Sequence, residues 1–139
     1  MRQWGVAMDG LAEWRRVVRD NDPTALDELL DEDAVFLSPI VHTPQVGRVK
    51  AGLYLRLALA LLNNGAFRYV GEWRAPGSAV LEFEGVIDGV TINGVDMISW
   101  NDAGRITRFK VMIRPLKAIN LMHERMRMLL VAANGDQAA

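Results

Sequence analysis

Residues 90–114 read VTINGVDMISWNDAGRITRFKVMIR, and this stretch decides the fold class. Ile98 and Trp100 share one parity while Val95 and Met97 share the other, the period of two that marks an extended strand. Asp102, Ala103 and Gly104 form a turn signal of hairpin length, after which Phe109, Val111 and Ile113 alternate with Met112. Moving outward, residues 79–87 and 67–74 repeat the pattern, separated by Asp88-Gly89 and by Ala75-Pro76-Gly77. The four segments are expected to form an antiparallel meander. Beyond it, Pro115 can open a helix that runs to about residue 133, with Leu116, Ile119, Met122, Met126 and Leu129 on its apolar side.

The N-terminal half has helical period instead. Leu11, Trp14, Val17 and Val18 lie on one stripe, opposite Glu13, Arg15, Arg16 and Arg19. Asp22 and Pro23 suit the cap and first position of a short helix that turns Leu26, Leu29 and Leu30 inward. Residues 34–37 read as a short strand, residues 38–47 as a loop held by two prolines, and residues 50–64 as a third helix, apolar almost all round and expected to be well buried. Helices followed by a meander define an α+β class.

The chain has 139 residues, half of them apolar and 24% charged, enough for one domain with one core and no room for a second. It has no cysteine, which removes thiolate nucleophiles, cysteine-ligated zinc and thiol redox chemistry. The formal net charge is -1, so no global field draws in nucleic acid or anionic membrane, and neither is expected as a partner. The longest apolar run, residues 53–62, is too short to span a bilayer and contains Arg56. The first ten residues show no secretory pattern, so a cytoplasmic location is expected. The meander strands are apolar on both parities. Helices can cover one face, and a second copy in a two-fold homodimer through the sheet is the simplest cover for the other.

The order of elements resembles the nuclear-transport-factor-2-like superfamily, also called SnoaL-like or ketosteroid-isomerase-like. The matching motifs are Asn21-Asp22-Pro23 leading to Leu26, the acidic turn at 29–33, residues 34–39, Gly94-Val95-Asp96 with Ile98-Ser99-Trp100, and residues 102–106. The likeness spans roughly residues 9–115, so the whole chain, 1–139, is expected to be a single SnoaL-like domain with residues 115–133 an added C-terminal helix. What the resemblance implies is a cone: a curved antiparallel sheet wrapped around N-terminal helices, with an apolar pocket that takes a small apolar molecule. In ketosteroid isomerase an apolar site keeps one aspartate neutral so that it donates to the developing oxyanion. By motif match, Asp96 occupies that donor's position. Where the family has a carboxylate base before a proline, this chain has Ser38. Where it has a tyrosine on helix one, this chain has Trp14, and Val111 stands where the related limonene-epoxide-hydrolase pattern expects an aspartate.

The residues also support Asp96 directly. It shares parity with Ile98 and Trp100, and a carboxylate among apolar side chains must be paired, hydrogen-bonded or protonated. It is either a proton donor or a structural carboxylate, held by Arg114 or by backbone donors beside a bulge at Asn93-Gly94. His42, in the loop, is either its acid–base partner or a solvent-facing residue. Tyr54, on the third helix, either assists with its hydroxyl or packs in the core, and Ser38 binds ligand or its own turn. The remaining pocket wall is expected from Trp14, Val18, Phe36, Leu57, Leu61, Phe83 and Trp100. His42 and His123 have no closely spaced second ligand, so no metal is expected, and no glycine-rich phosphate loop implies a nucleotide or other cofactor. The chemistry is proton transfer of isomerase, cyclase or dehydratase type; the alternative is a non-catalytic ligand-binding or dimeric scaffold module.

Overall fold

In the computed structural model, which describes residues 9–134, helix α1 (Gly10–Asp20) is followed by a 3-10 turn (Pro23–Ala25) and the four-residue α2 (Leu26–Leu29). Strands β1 (Leu30–Leu37) and β2 (Gln45–Val46), helix α3 (Arg48–Leu62), strands β3 (Arg68–Ala75), β4 (Ser78–Ile87), β5 (Val90–Trp100) and β6 (Ile106–Arg114), and helix α4 (Leu116–Asn134) complete the order. The reading of the first eight residues lies outside those described.

Asp9 caps α1 by accepting from the Leu11 and Ala12 amides at 3.0 and 3.2 Å. Asn21 closes the helix in the left-handed region, φ 50°, with its N–H on the Val17 and Val18 carbonyls. Between these ends Leu11, Trp14, Val17 and Val18 are buried as the spacing requires. The next turn differs from expectation. Asp22 makes no cap hydrogen bond to the backbone; its carboxylate takes the Thr24 hydroxyl and Arg16 instead. The helix after it is therefore one 3-10 turn and one α turn.

The four meander strands form as expected, and the Asp88-Gly89 hairpin has positive φ at both residues, as a two-residue turn of the favoured hand needs. The sheet is larger than the meander, however. It has six strands in the order β2-β1-β6-β5-β4-β3, and β1 lies parallel to β6. β1 starts at Leu30, four residues earlier than its apolar signal, because Asp31, Glu32 and Asp33 keep it polar until Ala34. The concave face carries Leu81, Phe83, Ile92, Ile98, Ile106 and Phe109, all buried against the helices. At roughly 1.5–3 kcal/mol for each such side chain, this face is a substantial part of the drive to fold.

Gly94 sits where β5 meets β4 and β6 most closely. A Cβ there would stand 2.3 Å from the Met112 carbonyl and 2.6 Å from the Phe83 ring, so the position admits only glycine. No bulge forms at Asn93-Gly94: the β5–β6 register runs unbroken from Asn93 to Ser99. The convex face collects Val80, Val95 and Met97, half-buried, with Trp73 and Met112 exposed at 58% and 50%. Helix α3 is less buried than its composition suggests. Ala51, Gly52, Leu55 and Leu59 face inward, while Leu53 and Leu57 on the other side are only partly buried. On α4, Ala118 and Met122 are buried, but Leu116 is 70% exposed at the first turn.

Candidate functional site: a one-way hydrogen-bond relay in an apolar pocket

Helices α1 and α3 lie over the concave face, and α4 lies beside them. The space they leave is a pocket lined by aromatic and aliphatic side chains, with Ser38, Asn63, Tyr69 and Asp96 the polar side chains around it apart from the Trp14 indole N–H. Its volume is about 50 Å³, measured as the space open to the centre of a water molecule. Trp14 meets Phe109 edge-on at 4.7 Å between ring centroids, Phe36 flanks Phe109 at 6.2 Å, and Phe67 meets Tyr69 edge-on at 5.1 Å. Met122 and Met126, one turn apart on α4, complete the wall.

Asp96 projects into this pocket from the middle of β5 and is 5% exposed. Its facing follows from the pleat, since Ile92, Gly94 and Ile98 of the same parity are all buried. Among the described residues no arginine reaches it; Arg114 binds Asn93 Oδ1 at 3.3 Å instead. The Tyr69 hydroxyl, from β3, donates to Asp96 Oδ2, and the Trp14 indole N–H donates to the same hydroxyl at 2.9 Å.

An indole nitrogen can only donate, which fixes the direction of the first bond. Tyr69 accepts from Trp14 and donates its own proton to Asp96 Oδ2. Burial holds the Tyr69 hydroxyl well above its ordinary 10.0, and the neighbouring Asp96 charge and hydrogen bond add to this, so it stays protonated. Asp96 is pushed up from 3.8 to about 7 by burial, partly offset by the hydrogen bond from Tyr69. In its neutral form, with Oδ2 accepting from Tyr69, Asp96 carries its proton on Oδ1. Among the described residues that oxygen has no hydrogen-bond partner, and Asp96 lines the pocket. The relay thus runs from indole to phenol to carboxyl and ends in a proton offered to the cavity. Outside it, the Arg15 guanidinium lies 5.3 Å from the Tyr69 ring centroid and pairs with Glu72 at 3.2 Å.

Of the residues the sequence nominated, Trp14, Phe36, Ser38 and Asp96 line the pocket. The Ser38 oxygen accepts from the Ile40 and Val41 amides at 3.0 and 3.3 Å, which uses its lone pairs on its own turn and leaves only its proton to give. The others need correction. His42 is exposed on its loop and does not line the pocket, because the loop leaves the wall after Pro39 and Ile40. Tyr54 leans on Phe36 from behind, 6.0 Å between centroids, rather than facing the cavity.

Val18 is buried one turn past Trp14, beyond the pocket wall. Leu57 lies two residues from both Leu55 and Leu59, hence on the opposite side of α3, and Leu61 packs on the core outside the pocket. Phe83 is fully buried beneath it, stacked on Phe67 at 5.2 Å. Trp100 keeps the parity of Ile98, since the register shift beside it places its extra residue, Thr107, on β6, but it lies at the end of β5 and packs against Gly10 at the start of α1, outside the pocket.

Tyr69 is the group the sequence reading missed. A usable signal was present: a core-facing indole needs an acceptor, and the chain holds only two tyrosines. Among the described residues, no group of histidine, aspartate and glutamate could hold a metal ion, and no helix is long and apolar enough to cross a membrane.

No protein-family model matches the chain, and no curated protein does. Solved structures do. A steroid delta-isomerase from Pseudomonas aeruginosa is 33% identical over 89% of this chain and 90% of its own, with a TM-score of 0.84. A protein with a cystatin-like fold from Silicibacter pomeroyi is 26% identical over 88% and 85%, with a TM-score of 0.81. An NTF2-like protein from Mesorhizobium loti, 20% identical over 76% and 88% with a TM-score of 0.65, shares the fold. The chain belongs to the nuclear-transport-factor-2-like superfamily, the SnoaL-like or ketosteroid-isomerase-like proteins.

Proposed function

We propose that this protein binds a small, mostly apolar carbonyl compound in the cone and that Asp96 gives a proton to the ligand oxygen, in chemistry of isomerase, cyclase or dehydratase type. The observation that carries the reading is the one-way relay: Trp14 and Tyr69 both donate toward Asp96, leaving its free oxygen as a donor in an apolar cavity. Such a donor is worth most where water is excluded and negative charge develops on the bound oxygen. The likeness to a steroid delta-isomerase supports the same class of reaction. Ser38 and the aromatic wall of Trp14 and Phe36 belong to the ligand site; His42 and Tyr54 are left without a direct role.

A second reading, a binding module without chemistry, has its own support. The Ser38 lone pairs are engaged by backbone amides, and among the described residues no second carboxylate or imidazole lines the pocket to take a proton from carbon. The two readings separate with 1-tetralone as probe. Its affinity is expected to fall above about pH 7 in the wild type and to stay level in Asp96→Asn, whose amide still donates but cannot ionise. Exchange of the ketone's α-hydrogens in heavy water, accelerated by the wild type and not by Asp96→Asn, supports catalysis. Binding with this pH profile and no exchange supports the module, and the absence of binding rejects both.

The homodimer is proposed through the convex face, where Trp73, Met112, Val80, Val95 and Met97 form an apolar strip flanked by Glu82, Lys110 and Arg108. A cytoplasmic setting without nucleic-acid or membrane partners remains the proposal from composition.

A further inference from the structure

Asn63 follows α3 and lines the same pocket as Asp96. Its backbone N–H donates to the Leu59 carbonyl at 2.8 Å. Its Nδ2 donates to the Val18 carbonyl at 2.9 Å and to Asn21 Oδ1 at 3.4 Å. A backbone carbonyl can only accept, so the atom facing Val18 is the amide nitrogen, and the orientation of the group is settled. Both amide hydrogens are thereby committed to α1 and the residue that caps it. The Asn63 Oδ1 receives no hydrogen bond among the described residues, and it is not a fully occluded atom.

This oxygen complements the rest of the pocket. With Asp96 neutral, Asp96 and Ser38 both offer protons, and Asn63 supplies the side-chain carbonyl acceptor they lack. The two handles also share an origin. Trp14, which heads the relay to Asp96, and Val18, which fixes Asn63, are one turn apart on α1, about 6 Å along its axis.

We infer that Asn63 Oδ1 accepts a hydrogen bond from the ligand, and that the natural ligand is therefore a carbonyl compound bearing a second, proton-donating group such as a hydroxyl, remote from the oxygen that Asp96 holds. The inference rests on the Asp96 reading above, and Asn63 acts in it as a specificity-determining residue. Asn63 is half-buried, and an acceptor that a bound ligand cuts off from water discriminates because a ligand that cannot donate leaves it unpaired.

Titration calorimetry at pH 5.5 with 1-tetralone, 6-methoxy-1-tetralone and 6-hydroxy-1-tetralone tests this. In the wild type the hydroxy compound is expected to bind about tenfold tighter than the other two, the equivalent of one hydrogen bond. Asn63→Leu, checked for folding by circular dichroism, should bring the three affinities together, and Asp96→Leu should weaken all three while the preference persists. Three wild-type affinities within about twofold, with Asp96→Leu still weakening them, overturn the role of Asn63 and leave Asp96 in place. A hydroxyl preference that survives in folded Asn63→Leu overturns it equally. Failure of every ketone to bind the wild type at millimolar concentration overturns both. The wild-type series alone is decisive should the Asn63 variant not fold.

Discussion

Replacing Asp96 by asparagine is expected to stabilise the protein at neutral and higher pH, by an amount that grows with pH. In the folded chain the carboxyl titrates at about 7, raised by burial against the Tyr69 hydrogen bond, whereas in the unfolded chain it titrates near the ordinary 3.8. Between those values the folded state holds a proton that the unfolded state has released. Raising the pH through this window therefore favours unfolding, and the contribution that is fully present below about pH 4 is lost by about pH 7. At about 1.4 kcal/mol for each tenfold difference in proton affinity, the whole window is worth about 4 kcal/mol. That is a large part of the 5–15 kcal/mol by which domains are ordinarily stable.

Asparagine copies the neutral acid, since its oxygen can accept from Tyr69 and its amide can face the pocket, but it has no proton to lose. Urea unfolding of both proteins from pH 4 to pH 8 should show near-equal stabilities at the acid end. By the alkaline end the gap should approach 4 kcal/mol in favour of the variant. Two parallel curves, or a variant that is less stable at pH 8, would refute the claim that the folded site prefers a neutral carboxyl.

Other consequences follow from the same contacts. Tyr69→Phe removes the one bond that lowers the Asp96 carboxyl, so its titration should move further above about 7, and it orphans the Trp14 N–H at a cost of about 1–3 kcal/mol; carboxyl NMR and chemical unfolding read the two effects. Gly94→Ala forces β5 away from the Met112 carbonyl and the Phe83 ring and should cost about 3 kcal/mol in urea unfolding. Met122→Ala, which empties a buried position on the pocket wall, should cost about 2–5 kcal/mol and recover part of that with a larger apolar ligand, as seen in thermal shifts. Sedimentation at micromolar concentration should find a dimer that Trp73→Glu dissociates; a persistent wild-type monomer rejects the sheet interface.

Local pattern was enough for much of the architecture. The period of two in the meander, the Asp88-Gly89 turn and the inward parity of Asp96 all depend on neighbours a few residues apart, and each holds in the structure. The parallel pairing of β1 with β6 brings together residues more than seventy positions apart, and its polar first half carries no strand signal. Pocket membership failed for related reasons. Trp100 lies at the end of β5 against Gly10 of α1, helical phase turned Leu57 outward, and the loop leaves the pocket after Ile40 with His42 exposed. Tyr69 and Asn63 owe their roles to contacts with α1 across 55 and 45 residues, which no spacing in the chain announces. Trp14 was legible as a core-facing indole, but its partner was not: the hydroxyl that takes its N–H comes from Tyr69 on β3.

The most direct test is the Asp96 side-chain carbon, followed by NMR from pH 3 to pH 9 and assigned by its absence in Asp96→Asn. A midpoint near 7 that rises when 1-tetralone is added is the predicted result, because the ligand oxygen binds the protonated form. A midpoint near 4, unmoved by the ketone, would contradict the neutral donor on which the functional reading depends.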